Sequence, residues 1–273
     1  MSNKKIKIFM GIPSTGERSD AQCYFLREVT ERYKDKVELV YPKQCVFRSF
    51  HDFARNAYVE EFLESDCDVL WFLDSDICPP KHVLDLVALH WNKWEAAGAC
   101  YPIFMVPPGG SEPSILFTAY KGVIEGQGIG LTSVPKSGQE FVDGLATGCL
   151  FLKRELFAKL EKPYFEFKFN EETRQMKEGE DLGFCLKVNK LGVKFFTDYS
   201  MVCKHYKRVC LLDINNYAID MSNAKVLEYD AEIRPKVEKF MNTIAEQQQQ
   251  QKKEQKLPPG LNRSKSGLIL PKY

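Results

Sequence analysis

Val69-Leu70-Trp71-Phe72-Leu73 is an unbroken apolar run that stops at once in Asp74-Ser75-Asp76. Five consecutive apolar residues cannot alternate between core and water, so the run predicts a strand buried on both faces. Such a strand lies inside a sheet covered by helices on either side, which points to an α/β chain. The preceding sequence agrees. Ile6 to Met10 predicts a first strand, ending in Gly11-Ile12-Pro13-Ser14-Thr15-Gly16. A helix is expected from about Asp20 to Tyr33, with Asp20 as its cap. Val37 to Tyr41 predicts a strand stopped by Pro42. Phe50, Phe53, Ala54, Ala57, Tyr58 and Phe62 then recur at helical spacing. A helix from about Pro80 to Trp94 and a strand from Ala97 to Phe104 continue the alternation. The expected fold is a mostly parallel sheet flanked by helices on both faces.

The middle of the chain changes character. Residues 105–140 are rich in glycine and proline, with strand-like Ser114 to Ile124 among them, which predicts a small antiparallel excursion. Phe141 to Lys153 reads as strand and Arg154 to Leu160 as helix. Another helix is expected over Glu180 to Leu191, with Leu182, Cys185 and Leu186 on one face, and Val193 to Phe196 as a strand. From Asn223 an apolar stripe of Ile233, Val237, Phe240, Met241 and Ile244 predicts a helical extension. Residues 246–273 are low in apolar content until Leu268-Ile269-Leu270, as in a flexible tail. The expected organisation is a catalytic domain over 1–222, a helical extension over 223–245 and a tail over 246–273.

The 273 residues carry a formal net charge of +1, so composition makes no case for a strongly basic nucleic-acid binder. Nine cysteines are scattered with no two-residue gap between any pair, which speaks for reduced thiols rather than a zinc or disulfide framework. No stretch reaches the ~18–20 apolar residues that span a bilayer. With its polar start, the chain reads as a cytoplasmic protein with no integral membrane segment.

The chemistry concentrates in a few places. Asp74 and Asp76 leave the carboxyl end of a buried strand, the edge where open α/β sheets bind ligands. Two hard anionic oxygens there suit Mg²⁺ or Mn²⁺ bridging a diphosphate; the plain alternative is a turn. Glu178-Gly179-Glu180-Asp181 opens a helix. It reads either as a favourable acidic first turn or as a carboxylate that takes a proton from an acceptor hydroxyl. His205 is either a core histidine or the nitrogen that completes a Mn²⁺ site. Arg55 offers a planar fork to a diphosphate or base, or is a solvated helix residue. Ile12, Pro13 and Ser14 offer backbone groups to a base. The glycines from Gly144 to Gly148 allow a backbone to approach a donor sugar closely.

In this order the features resemble the GT-A-fold glycosyltransferases, in particular their family 2-like branch, over roughly residues 5–210. Gly11-Ile12-Pro13 is similar to that fold's base-binding edge. Phe53-Ala54-Arg55-Asn56 and then Val69 to Asp76 are similar to its Ala-Arg-Asn helix and Asp-x-Asp strand. Gly144 to Cys149 with Arg154-Glu155-Leu156-Phe157 resembles its glycine-rich acceptor-side loop, strand and helix. Glu180-Asp181 resembles its Glu-Asp motif, and His205 its C-terminal metal-binding histidine. The resemblance implies that Asp76 and His205 ligate the metal and that Asp74 contacts the ribose or the metal. It also implies that Ser75, Arg55 and Gly148 border a nucleotide-sugar donor, UDP-linked in particular, and that Asp181 is the base. Asp143 matches its family position only loosely. The Gln-x-x-Arg-Trp acceptor motif is missing, which argues against a processive polysaccharide synthase. The acceptor stays open between a small hydroxyl compound, a glycan, a protein and a hydroxymethylated base in DNA, as small phage-type transferases use. The tail's Lys252, Lys253, Lys256, Arg263, Lys265 and Lys272 suit phosphate contacts or simple solubility. A nucleotidyltransferase is a rival, although Gly11 to Arg18 lacks a lysine-bearing phosphate loop; a binding module without turnover is another.

Overall fold

The computed structural model describes residues 4–13, 20–43, 50–105, 114–124, 128–132, 138–207, 261–263 and 269–271. The chain divides into two compact units, Met1–Lys207 and Arg208–Tyr273.

The first unit opens with β1 (Ile6–Gly11), α1 (Asp20–Tyr33), β2 (Val37–Val40), α2 (His51–Glu64) and β3 (Val69–Leu73). After the acidic turn come β4 (Ile77–Cys78), α3 (Asp85–Ala88), β5 (Ala96–Gly98) and β6 (Pro102–Met105). Next come β7 (Ser114–Ile124), β8 (Gly128–Thr132), β9 (Gln139–Val142) and β10 (Gly144–Leu145). Then follow β11 (Cys149–Lys153), α4 (Arg154–Phe157), β12 (Lys168–Phe169) and β13 (Met176–Glu178). The unit closes with α5 (Glu180–Lys190), β14 (Phe195–Asp198) and β15 (Lys204–His205).

The central sheet has the order β2-β1-β3-β11-β5-β14-β9. Its pairings set β1, β2, β3, β5 and β14 in one direction and β11 and β9 in the other, so it is mostly parallel. All five residues of β3 are buried, as a central strand requires. Trp71 points to one face, where it meets the edge of Phe25 from α1 and stacks on Phe151 at 4.8 Å. Phe72 points to the other and meets Phe165, which stacks at 4.4 Å on Phe184 of α5. A second, antiparallel sheet of β10, β7, β6 and β8 forms the excursion. Arg154 braces the carboxyl end of α2: its guanidinium donates to the carbonyls of Phe62 and Leu63 in the last turn and of Ser65 and Cys67 just beyond it.

Three expected elements differ. The helix over 80–94 contracts to α3 and a 3-10 turn at Trp91–Lys93. The Trp94 indole donates to the Leu86 carbonyl at 3.0 Å, taking the acceptor that a continuing helix would have used. The strand over 97–104 is two strands in two sheets, β5 and β6. The run from Phe141 to Lys153 is likewise split among β9, β10 and β11, because Asp143 N turns to the Tyr120 carbonyl and draws the chain onto β7. In the second unit, β16 (Leu261–Arg263) and β17 (Ile269–Pro271) pair antiparallel, so part of the apolar patch of the expected tail lies in a strand. The expected helices from Asn223 and the remainder of the tail lie outside the described residues.

Candidate active site

In this sheet β1 lies between β2 and β3, so the chain leaves it to one side and returns on the other. The crevice at the carboxyl ends of β1 and β3 is therefore a topological switch point, where open α/β sheets take their ligands. Gly11, Ile12 and Pro13 are buried there, and Tyr58 donates to the Ile12 carbonyl at 3.1 Å. Ser14 lies outside the described residues.

The acidic turn is built on backbone bonds. Asp74 N donates to the Gly148 carbonyl, and Ile77 N closes the turn onto the Asp74 carbonyl, both at 3.0 Å. Ser75 sits half-buried at its tip. From α1, the fully buried Gln22 donates its amide to the carbonyls of Asp74 (2.7 Å) and Ile77 (3.0 Å). No motif in the sequence marks Gln22. Its signal is a polar residue in the apolar helical stripe of Phe25, Leu26, Val29 and Tyr33.

The two aspartates face different partners. Arg55 of α2 is 2% exposed, not solvated. Its Nη2 donates to both Asp74 oxygens at 3.1 and 3.2 Å, and its Nε to Glu180 at 3.4 Å. The guanidinium lies over the Phe72 ring. Nη1 is buried with no partner among the described residues, one donor left for a ligand oxygen. Asp76 turns the other way. Its carboxylate lies 3.4 Å from His205 Nε2 and 2.6 Å from Lys207 Nζ. The antiparallel pairing of β15 with β4 sets His205 opposite Ile77, and Tyr206 N donates to the Asp76 carbonyl. Burial pushes the Asp76 carboxyl up, but hydrogen bonds and charge from His205 and Lys207 outweigh it and hold the group down at about 2.

His205 has a defined tautomer. Nδ1 is 2.8 Å from the Pro102 carbonyl, which only accepts, so Nδ1 carries a proton. Nε2 is the ring nitrogen turned toward Asp76, the arrangement in which metal-binding imidazoles are oriented. A ring nitrogen and a carboxylate at this distance can share a cation, a proton on Nε2 or a metal in its place, beside the Lys207 ammonium already on that carboxylate. Asp74 does not join them. Among the described residues no group of three His, Cys, Asp or Glu side chains gathers at metal-binding spacing, and Asp74 is paired with the buried Arg55. An Asp-His pair still suits an ion that takes its other ligands from substrate phosphates and water, the usual arrangement for Mg²⁺-type sites.

Asp181 begins α5 beside Glu180. Leu182 N donates to its Oδ1 at 2.7 Å, and Tyr120 Oη to its Oδ2 at 3.3 Å. Burial, followed by the Asp181 charge, holds the Glu180 carboxyl above its ordinary value against the pull of Arg55. The glycines of the 144–148 segment make room for two tyrosines. A Cβ on Gly148 would lie 2.7 Å from Tyr101 Oη, and one on Gly144 would lie 2.9 Å from the Tyr120 ring. Tyr101 meets the His205 ring at 5.0 Å, edge to face. Asp143 is bound to Lys194 and to Gly122 N. Asn56 pins the Tyr164-Phe165 backbone through bonds from both amides to its Oδ1.

Among the described residues no helix is long and apolar enough to cross a membrane. No family model matches the chain, and no curated protein matches it. Among solved structures, A197 from STIV is similar at a TM-score of 0.46 and 18% identity, over 74% of this chain and 86% of that chain. GalNAc-T7, solved with UDP, GalNAc and Mn²⁺, is similar at a TM-score of 0.43 and 13% identity, over 75% of this chain and 44% of that one. Likenesses this distant carry no weight for the activity of the present chain, which rests on its own residues.

Proposed function

We propose that this chain is a GT-A-like glycosyltransferase that takes a sugar from a nucleotide-sugar donor, UDP-linked in particular, and passes it to an acceptor hydroxyl. The observation that carries the reading is the meeting of Asp76 and the oriented His205 at the switch-point edge, with Arg55, Asp74 and Asp181 around it. Asp76 and His205 would hold a divalent ion, Mn²⁺ or Mg²⁺, which when bound neutralises charge on the leaving diphosphate. Arg55 Nη1 would donate to an oxygen of the nucleotide sugar, and Asp74, held by the same guanidinium, would accept from the ribose. Asp181 takes the proton of the acceptor hydroxyl. The electron pair of that O–H bond forms the new bond to the anomeric carbon, and the bond to the diphosphate breaks with its pair on the leaving oxygen.

The test is incubation of the protein with a panel of nucleotide sugars, with Mn²⁺ or with a chelator, and with hydroxyl acceptors that include glycans and hydroxymethylated DNA. Release of nucleoside diphosphate with sugar transfer is expected. In a parallel incubation with nucleoside triphosphates and sugar 1-phosphates, release of pyrophosphate would identify a nucleotidyltransferase; no turnover in either incubation would leave only binding. Asp76→Asn and His205→Ala should each raise the Mn²⁺ concentration needed for half-maximal rate by about 10-fold or more, the scale of losing part of a metal site. A variant that melts earlier with an unchanged Mn²⁺ response would remove that residue from the ligand set.

A further inference from the structure

The carboxylate of Asp181 is held from two directions. Its Oδ1 accepts from the amide of the next residue on its own helix, and its Oδ2 from Tyr120, a residue of the second sheet. Tyr120 is 5% exposed, so its hydroxyl arrives through the core. The ring has a built seat. The β10–β7 register sets Tyr120 opposite Gly144, and any side chain at 144 would strike both the ring and Cys185 Sγ, the latter at 2.8 Å. Burial first, and then the Asp181 charge, hold the phenol well above its ordinary value. It therefore keeps its proton at neutral pH and serves Asp181 only as a donor.

A carboxylate fixed by one backbone amide can still turn about its last bond. A second donor at a fixed point removes that freedom, and effective proton transfer needs such positioning. We propose that Tyr120 is a positioning residue for Asp181, fixing which carboxylate lone pairs face the acceptor hydroxyl. The inference rests on the glycosyltransferase reading above. It also explains a glycine at 144 without reference to the donor sugar.

Tyr120→Phe removes only the hydroxyl. Two measurements on the variant decide the matter: kcat with donor KM, and the ¹³C resonance of the Asp181 carboxyl, assigned by its absence in Asp181→Asn. The expected result is a fall in kcat of about 10-fold, the scale of one hydrogen bond, with donor KM unchanged and the resonance moved. An unchanged kcat, or equal changes in kcat and donor KM, would overturn the positioning role. An unmoved resonance would overturn the contact itself, whether or not transfer occurs. If the wild-type protein transfers no sugar while the resonance moves, the glycosyltransferase reading fails and the Tyr120–Asp181 contact stands.

Discussion

Asp181→Asn should lower the rate of sugar transfer by roughly 10²–10⁴-fold, the range for loss of a general base. The amide keeps the size of the carboxylate; its one carbonyl oxygen can still accept from Leu182 N, and its NH2 can donate to Tyr120 Oη, which then turns its own proton away from residue 181. It cannot take a proton at neutral pH. The Arg55–Asp74 pair and the Asp76–His205 pair lie on other side chains, so donor affinity should change little. Transfer rate and donor affinity must separate in this variant. If both fall together, Asp181 organises the donor site instead. If transfer survives in full, Glu180 and Asp181 are an acidic first turn and no more.

Arg55→Met should lower stability by about 3 kcal/mol, because removing one partner of a buried ion pair leaves the others without their counter-charge. For a domain of this size that is a fall in Tm of about 6–12 °C. Glu180 and Asp74 are the residues left behind, and Glu180 is the more buried of the two. Its folded carboxyl already stands above its ordinary value through burial, with Arg55 opposing. A group raised in this way binds more protons folded than unfolded, so its contribution falls as pH rises through the folded value. Without Arg55 the shift grows, and the variant's deficit should be smaller at pH 5 than at pH 7. Melting curves at the two pH values test this. A deficit that does not change with pH would place the loss in packing against Phe72 rather than in charge.

The fold was legible where a pattern has one physical outcome. The apolar run Val69–Leu73 has nowhere to go but the middle of a sheet, and α1 spans Asp20–Tyr33 as expected. It was not legible where a distant side chain decides. Nothing local tells that the Trp94 indole will claim the Leu86 carbonyl and cut a helix short. The candidate site divides in the same way. Acidic residues at a strand end and a histidine near the end of the domain are visible as residue types. Their pairing is not: Asp74 and Asp76 stand one residue apart, yet one answers to Arg55 and the other to His205. Tyr120 is one more aromatic residue in a long strand until β10 is laid beside it.

The reversed β11 at the middle of the sheet sets an order of assembly. Residues 6–73 supply β1, β2 and β3 with both covering helices, and their pairings are short in sequence. β11 reaches β3 only after the whole stretch from residue 74 to residue 148 has been closed into a loop. The entropy of that closure is lost before any of the pairing is gained. The first half of the sheet is thus expected to gather early and its centre late, and the bond from Asp74 N to the Gly148 carbonyl forms with the late step. Pulse-labelled amide exchange during refolding should protect Phe9 before Phe151. Simultaneous protection of the two would mean that the sheet closes in one event, and protection of Phe151 first would reverse the order.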